Sequence, residues 1–93
     1  MLESKIEKKF VEDLKKKGCL VYKFVSPGND GVPDRIIVTP GGSVYFVELK
    51  VPQGDLSAMQ KMQISRLRGH GARVFVIRGP VEAGFFVSII AAR

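Results

Sequence analysis

Arg35 to Lys50 reads as a β-hairpin whose second strand can only sit between two layers. Arg35–Val38 and Val44–Lys50 are rich in β-branched and aromatic residues and flank Thr39-Pro40-Gly41-Gly42, a tight turn. Along the second strand, Val44, Phe46, Glu48 and Lys50 share one face while Tyr45, Val47 and Leu49 share the other. Both faces are apolar until Glu48, the pattern of a strand covered on both sides. A carboxylate and an ammonium therefore arrive at the end of an otherwise buried stripe, on the rim of the core.

The flanking segments supply the cover. Leu2 to Lys17 places Leu2, Ile6, Phe10 and Leu14 at intervals of four, the spacing of a helix with one buried stripe. Ser4 with Glu7 reads as its capping box, and Gly18 as its stop. Leu20 to Val25 alternates as a strand, and Ser26–Gly31 is a loop dense in turn residues. Helical spacing returns over 56–68 through Leu56, Met59, Ile64 and Leu67, and Gly69 and Gly71 end it. Arg73 to Ile77 reads as a last strand. From Pro80 a short helix is expected to pack Phe85, Phe86, Ile89 and Ile90. The order α-β-β-β-α-β-α predicts an α/β fold, a small mixed sheet covered by helices.

Residue counts narrow the function. At 93 residues the chain makes one domain, 1–93. Its 45% hydrophobic and 26% charged content is that of an ordinary globular protein. One cysteine (Cys19) and one histidine (His70) exclude an internal disulfide and a zinc tetrad, and argue against Cys–His catalysis and metal sites needing two histidines. No apolar run is long enough for a membrane span, so no membrane partner and a cytoplasmic location are expected. The net charge of +6 points to a polyanion only weakly, because charge also serves solubility.

The turn decides whether there is a site. If Pro40–Gly42 form a three-residue loop, Asp34 lies directly opposite Glu48, with Cβ atoms ~4.5–5.5 Å apart. A two-residue loop would put Asp34 opposite Val47 or Leu49, with its side chain on the other face. Two carboxylates ~5 Å apart repel by about 3 kcal/mol at an effective dielectric near 20, so something must offset them. A hard divalent cation, Mg²⁺ or Mn²⁺, would do so, with the Leu49 backbone carbonyl as a further oxygen ligand. Lys50, on the same face, is placed to orient or deprotonate a water and to stabilise charge on a phosphate. Pro33 fixes the backbone just before Asp34.

These residues resemble the PD-(D/E)xK nuclease superfamily. Gly31-Val32-Pro33-Asp34-Arg35, then Glu48-Leu49-Lys50, then Ser57 with Gln60, resemble its virus-type replication-repair nuclease (VRR-NUC) domain. Lys23-Phe24-Val25-Ser26-Pro27-Gly28 and the opening helix with Glu3 and Glu7 resemble phage and prophage members. The resemblance runs from residue 2 to about 80. It implies a restriction-endonuclease-like core and a Mg²⁺/Mn²⁺-dependent DNA endonuclease. It further implies selectivity for branched DNA in the manner of a Holliday junction resolvase, action as a homodimer, and 5′-phosphate products. By this resemblance Asp34, Glu48 and the Leu49 carbonyl bind metal, Lys50 serves the water, Gln60 supports the site from the helix, and Glu3 adds an acidic group.

Several of these residues also have plain structural readings. Ser57-x-x-Gln60 is itself a capping box, and Gln60 lies one turn from Leu56 and from Ile64, on the sheet side. Glu7 is accounted for by Ser4, which leaves Glu3 the better site candidate. Arg35 points away from Asp34 and is expected to be structural or DNA-contacting. The Ser26–Val32 loop borders the site, and Lys23, Ser26, Asn29 and Arg35 are the candidate DNA contacts. Two other functions fit a basic chain of this size: a non-catalytic nucleic-acid-binding module, and a subunit that docks an acidic partner. Metal dependence separates the enzyme from the first, and salt dependence separates the first from the second.

Overall fold

The computed structural model of the chain describes the backbone of residues 2–91 and the side chains of residues 4–91. Its first element is α1 (Leu2–Lys16), whose Ile6, Phe10 and Leu14 are buried at their four-residue interval. Ser4 lies within this helix, two residues after its first, and not at the N-cap position expected for it. The backbone turns at Gly18 into β1 (Leu20–Lys23), which is shorter than the alternation suggests: Val25 is 73% exposed.

β2 (Arg35–Val38) and β3 (Val44–Lys50) occupy the expected segments. They pair antiparallel with Arg35 opposite Val47 and Val38 opposite Val44. The turn between them is the three-residue form: Thr39 N donates to Ser43 O at 2.9 Å, and Pro40, Gly41 and Gly42 bridge the pair. Gly42 takes φ +89°, the left-handed residue that such a loop requires. A side chain there would be strained, and the register depends on it.

β4 (Val74–Arg78) runs parallel to β3, with Phe46 opposite Val74 and Lys50 opposite Arg78. The four strands form one mixed sheet in the order β1-β2-β3-β4. The β3–β4 crossover carries α2 (Ala58–Gly69), and the chain closes with α3 (Gly79–Phe85), which runs on into a π-helical turn (Phe86–Ile90).

α1 and α3 cover one face of the sheet. There Ile37, Tyr45, Val47, Leu49 and Ile77 meet Ile6, Phe10, Leu14, Ala83, Phe86 and Val87. Phe10, Tyr45, Phe75 and Phe86 knit this core, with Phe75 and Phe86 at 5.3 Å, edge to face. Phe86 is buried, but Phe85 is 60% exposed and Ile89 44% exposed, against the expectation that both pack. At 3.6 residues per turn, the side that buries Ala83, Phe86 and Val87 leaves 85 and 89 outward.

α2 lies over the other face and covers only part of it. Gln63 and Ile64 are buried, Gln60 is half-buried, and Met59 is 45% exposed. The inward stripe of α2 therefore runs through polar residues, where the apolar spacing had placed Met59. Beyond the reach of α2, Leu20 and Tyr22 on the edge strand β1 and Val44 at the start of β3 stay exposed. Among the described residues no helix is long and apolar enough to cross a membrane.

Candidate active site

Asp34 stands one residue before β2, and its carbonyl accepts from Phe24 N at 2.7 Å, which extends the β1–β2 ladder by one pair. The register that sets Arg35 against Val47 sets Asp34 against Glu48 on the next rung. Both side chains lie on the α2 side of the sheet, with Lys50 two residues on. Glu48 is 2% exposed, a depth at which a carboxylate needs compensation.

Gln60 supplies half of it. Its Nε2 donates to Glu48 Oε2 at 3.2 Å. The same side chain closes the α2 capping box: Oε1 accepts from Ser57 N at 2.9 Å, while Ser57 Oγ accepts from Gln60 N at 3.1 Å. The two readings of Gln60 therefore do not compete, because opposite ends of one amide serve the helix cap and the carboxylate. Capping also holds the amide in one orientation.

The other Glu48 oxygen, Oε1, is buried without a hydrogen-bond donor. Burial first, and the charge of Asp34 second, push the Glu48 carboxyl up to about 7, with Lys50 pulling the other way. Asp34 is also raised, chiefly by burial, with the Glu7 charge adding to it. Hydrogen bonding to Glu48 opposes that rise, as do the charges of Lys50 and Arg35. Two facing carboxyls that resist joint ionisation, one with an unpaired oxygen, are chemically suited to a hard divalent cation. Among the described residues no three His, Cys, Asp or Glu side chains group as a metal cluster, so the protein side chains offered here are the two carboxylates.

Arg35 turns to the opposite face, as its parity requires. Its Nη2 meets Glu7 Oε2 at 3.0 Å, pinning β2 to α1, and its buried Nε has no acceptor. Glu7, set aside at the sequence level in favour of Glu3, is thus an α1 acid whose charge reaches Asp34. An inward-facing arginine beside Asp34, in need of a partner, is the signal that could have found it. The Glu3 side chain lies outside the described residues. Ser26 and Asn29 bond each other, with Asn29 Nδ2 donating to Ser26 Oγ at 2.9 Å, so this end of the loop is internally braced. Lys23 is exposed. Phe24 and Phe46, which sequence reasoning did not join, pack with tilted rings 5.5 Å apart on the carboxylate side of the sheet.

The VRR-NUC domain model matches residues 4–80. A curated relative named "Putative nuclease p44", from Acyrthosiphon pisum secondary endosymbiont phage 1, is 43% identical over 75 residues, covering 81% of each chain. A solved structure described as a "VRR_NUC domain" superposes with a TM-score of 0.88 at 28% identity, covering 96% of this chain and 97% of that one. A second, a "VRR_NUC domain protein", gives a TM-score of 0.72 at 16% identity over 97% of this chain and 85% of the other, a likeness of fold alone.

Proposed function

The chain belongs to the VRR-NUC family of nuclease domains, and from that premise we propose that it is a divalent-metal-dependent DNA endonuclease selective for branched DNA. One observation carries the reading: the Asp34–Glu48 pair, with Glu48 buried, held on one oxygen by Gln60 and unpartnered on the other. Asp34, Glu48 and the Leu49 carbonyl would hold Mg²⁺ or Mn²⁺, oxygen donors suited to a hard ion. Bound there, such an ion supplies Lewis-acid stabilisation of the phosphate and a more acidic water.

The remaining work falls to the chain itself. Lys50, on the same face as both carboxylates, orients the attacking water, and its positive charge offsets the charge that develops on the phosphate. Gln60 keeps Glu48 from rotating. The Phe24–Phe46 pair limits water on one side of the site. Hydrolysis leaves a 5′-phosphate and a 3′-hydroxyl. A domain with one such site needs a second copy to cut both strands of a four-way junction, and a twofold homodimer supplies it. Exposed lysines and arginines, which raise the net charge to +6, favour the phosphate backbone. Lys23, Ser26 and Asn29 remain the proposed DNA contacts, whereas Arg35, turned to the α1 face in its ion pair with Glu7, takes the structural role of its two expected ones.

Cleavage of a labelled four-way junction, with linear duplex as control, tests the reading. Wild type and Lys50→Ala are compared in Mg²⁺, Mn²⁺ and EDTA. Junction cutting that requires metal and is lost in Lys50→Ala supports it. Binding without cutting by the wild type in either metal would turn the reading to a non-catalytic nucleic-acid-binding module.

A further inference from the structure

Gly31, in the loop between β1 and β2, has φ +90° and presses its bare α-carbon against the first turn of α2. A methyl group there would lie 2.6 Å from the Met59 carbonyl carbon, 2.7 Å from its oxygen and 2.8 Å from the Gln60 amide nitrogen. All three are backbone atoms, so no rotamer change makes room. Gly71 is the contrast: it has φ +87° but open space where its Cβ would be. Positive φ is ordinary glycine use, and the close approach is what distinguishes Gly31.

The peptide that Gly31 touches belongs to Gln60, whose side chain reaches Glu48 at 3.2 Å. In the other direction Gly31 leads through Val32 and the fully buried Pro33 to Asp34. Proline locks its own φ and restricts the residue before it, so this two-residue spacer transmits position with little slack. Asp34 in turn faces Glu48 across the hairpin. Gly31, Gln60, Glu48 and Asp34 thus close a ring that joins loop, helix and sheet.

We propose that Gly31 is a positioning residue, whose bare α-carbon seats the loop on the Met59–Gln60 peptide and thereby sets the placement of Gln60 against the Asp34–Glu48 pair. The inference rests on the nuclease reading above for its catalytic consequence. A side chain at position 31 displaces the first turn of α2 from the sheet and draws the Gln60 amide off Glu48. Gly31 itself touches no substrate.

The test compares Gly31→Ala with Gly71→Ala, which imposes similar φ strain without the contact, and with Gln60→Ala and the Gly31→Ala/Gln60→Ala double variant. Three readouts are taken: circular dichroism, the Gln60 side-chain amide signals in a ¹⁵N–¹H spectrum, and kcat and KM on the junction. In Gly31→Ala the amide pair is expected to move toward the position of a free glutamine. Its kcat should fall roughly 10- to 100-fold, the scale of an ångström misplacement, with KM little changed. Gly71→Ala should stay within about threefold of wild type, and the double variant should be little worse than either single one, because both act through one contact.

An unmoved amide pair, a kcat loss matched by Gly71→Ala, or losses that multiply in the double variant would overturn the proposal. If Gly31→Ala does not fold, it is remade with Gly69→Ala, which adds helix propensity at an open position. Failure to fold there too assigns Gly31 to stability and also overturns it. If wild type does not cut, the nuclease reading fails, while the amide signals still decide whether Gly31 places Gln60.

Discussion

The two faces of β3 make opposite use of alternate residues of one strand. Tyr45, Val47 and Leu49 point into the α1/α3 side, where all three are at most 5% exposed and meet apolar neighbours. Phe46, Glu48 and Lys50 point to the α2 side, where α2 presents polar Gln60 and Gln63. The first face is built for stability. The second carries a carboxylate nearly as deep as its apolar neighbours, with an unpaired oxygen and a raised pKa. Burial depth alone thus does not identify the core, and the chemistry of the facing helix separates the two uses.

Truncating the stable face should have the largest effect. Phe10→Ala removes a ring 1% exposed and should cost about 3–5 kcal/mol. Urea unfolding reads the loss, and cleavage per folded molecule should barely change. A large loss of activity in the folded fraction would show that the faces are coupled.

Glu48→Gln should separate stability from activity. It keeps the shape, accepts from Gln60 and offers Asp34 a donor. Cleavage should fall by on the order of 10³-fold. Metal-free stability at pH 8 should hold or rise by about 1 kcal/mol, because no charge is left to bury. Marked destabilisation would mean that the carboxylate is structural.

The pH dependence of stability carries the same contrast. The folded Glu48 titrates at about 7 against an ordinary 4.5, so between these values the folded chain holds a proton that the unfolded chain has released. Stability from this group is full below about pH 4.5 and is lost as pH climbs through 7. In EDTA the chain should be about 1–3 kcal/mol less stable at pH 8 than at pH 5. Mg²⁺ or Mn²⁺ at pH 8 should restore much of the difference, and chelation should remove it again. Urea midpoints at the two pH values check this, and a midpoint higher at pH 8 in EDTA would contradict it.

The smallest effect belongs to the ion pair that ties β2 to α1. The Glu7 side chain is 36% exposed, so Glu7→Gln should cost less than about 1 kcal/mol and leave cleavage within a few-fold. A much larger loss of cleavage, measured beside an unchanged melting temperature, would move Glu7 into the catalytic site.

Local patterns carried much of this. β2 and β3 could be read residue for residue because both strands and their turn are strong short-range signals, while the Asp34–Glu48 pairing hung on a turn length that the structure resolves as three residues. Boundaries failed where tertiary contacts decide them. β1 stops at Lys23 because the chain beyond Phe24 leaves the ladder, and Phe85 and Ile89 face outward because of the phase at which α3 meets the sheet. Ser4 was assigned a cap because its spacing to Glu7 is right, but helical residues begin before it.

The sequence by itself determined the layered fold, the two hairpin strands and the residue types at their end, since periodicity and turn chemistry act over a few residues; it left two turn lengths open, and the structure decided the register. Only the tertiary structure decided that Gln60 serves cap and carboxylate together, that Glu7 takes Arg35, and that Gly31 meets α2 backbone to backbone. Each of those contacts joins segments separated in the chain, and its geometry is set by how the helices and the loop settle on the sheet.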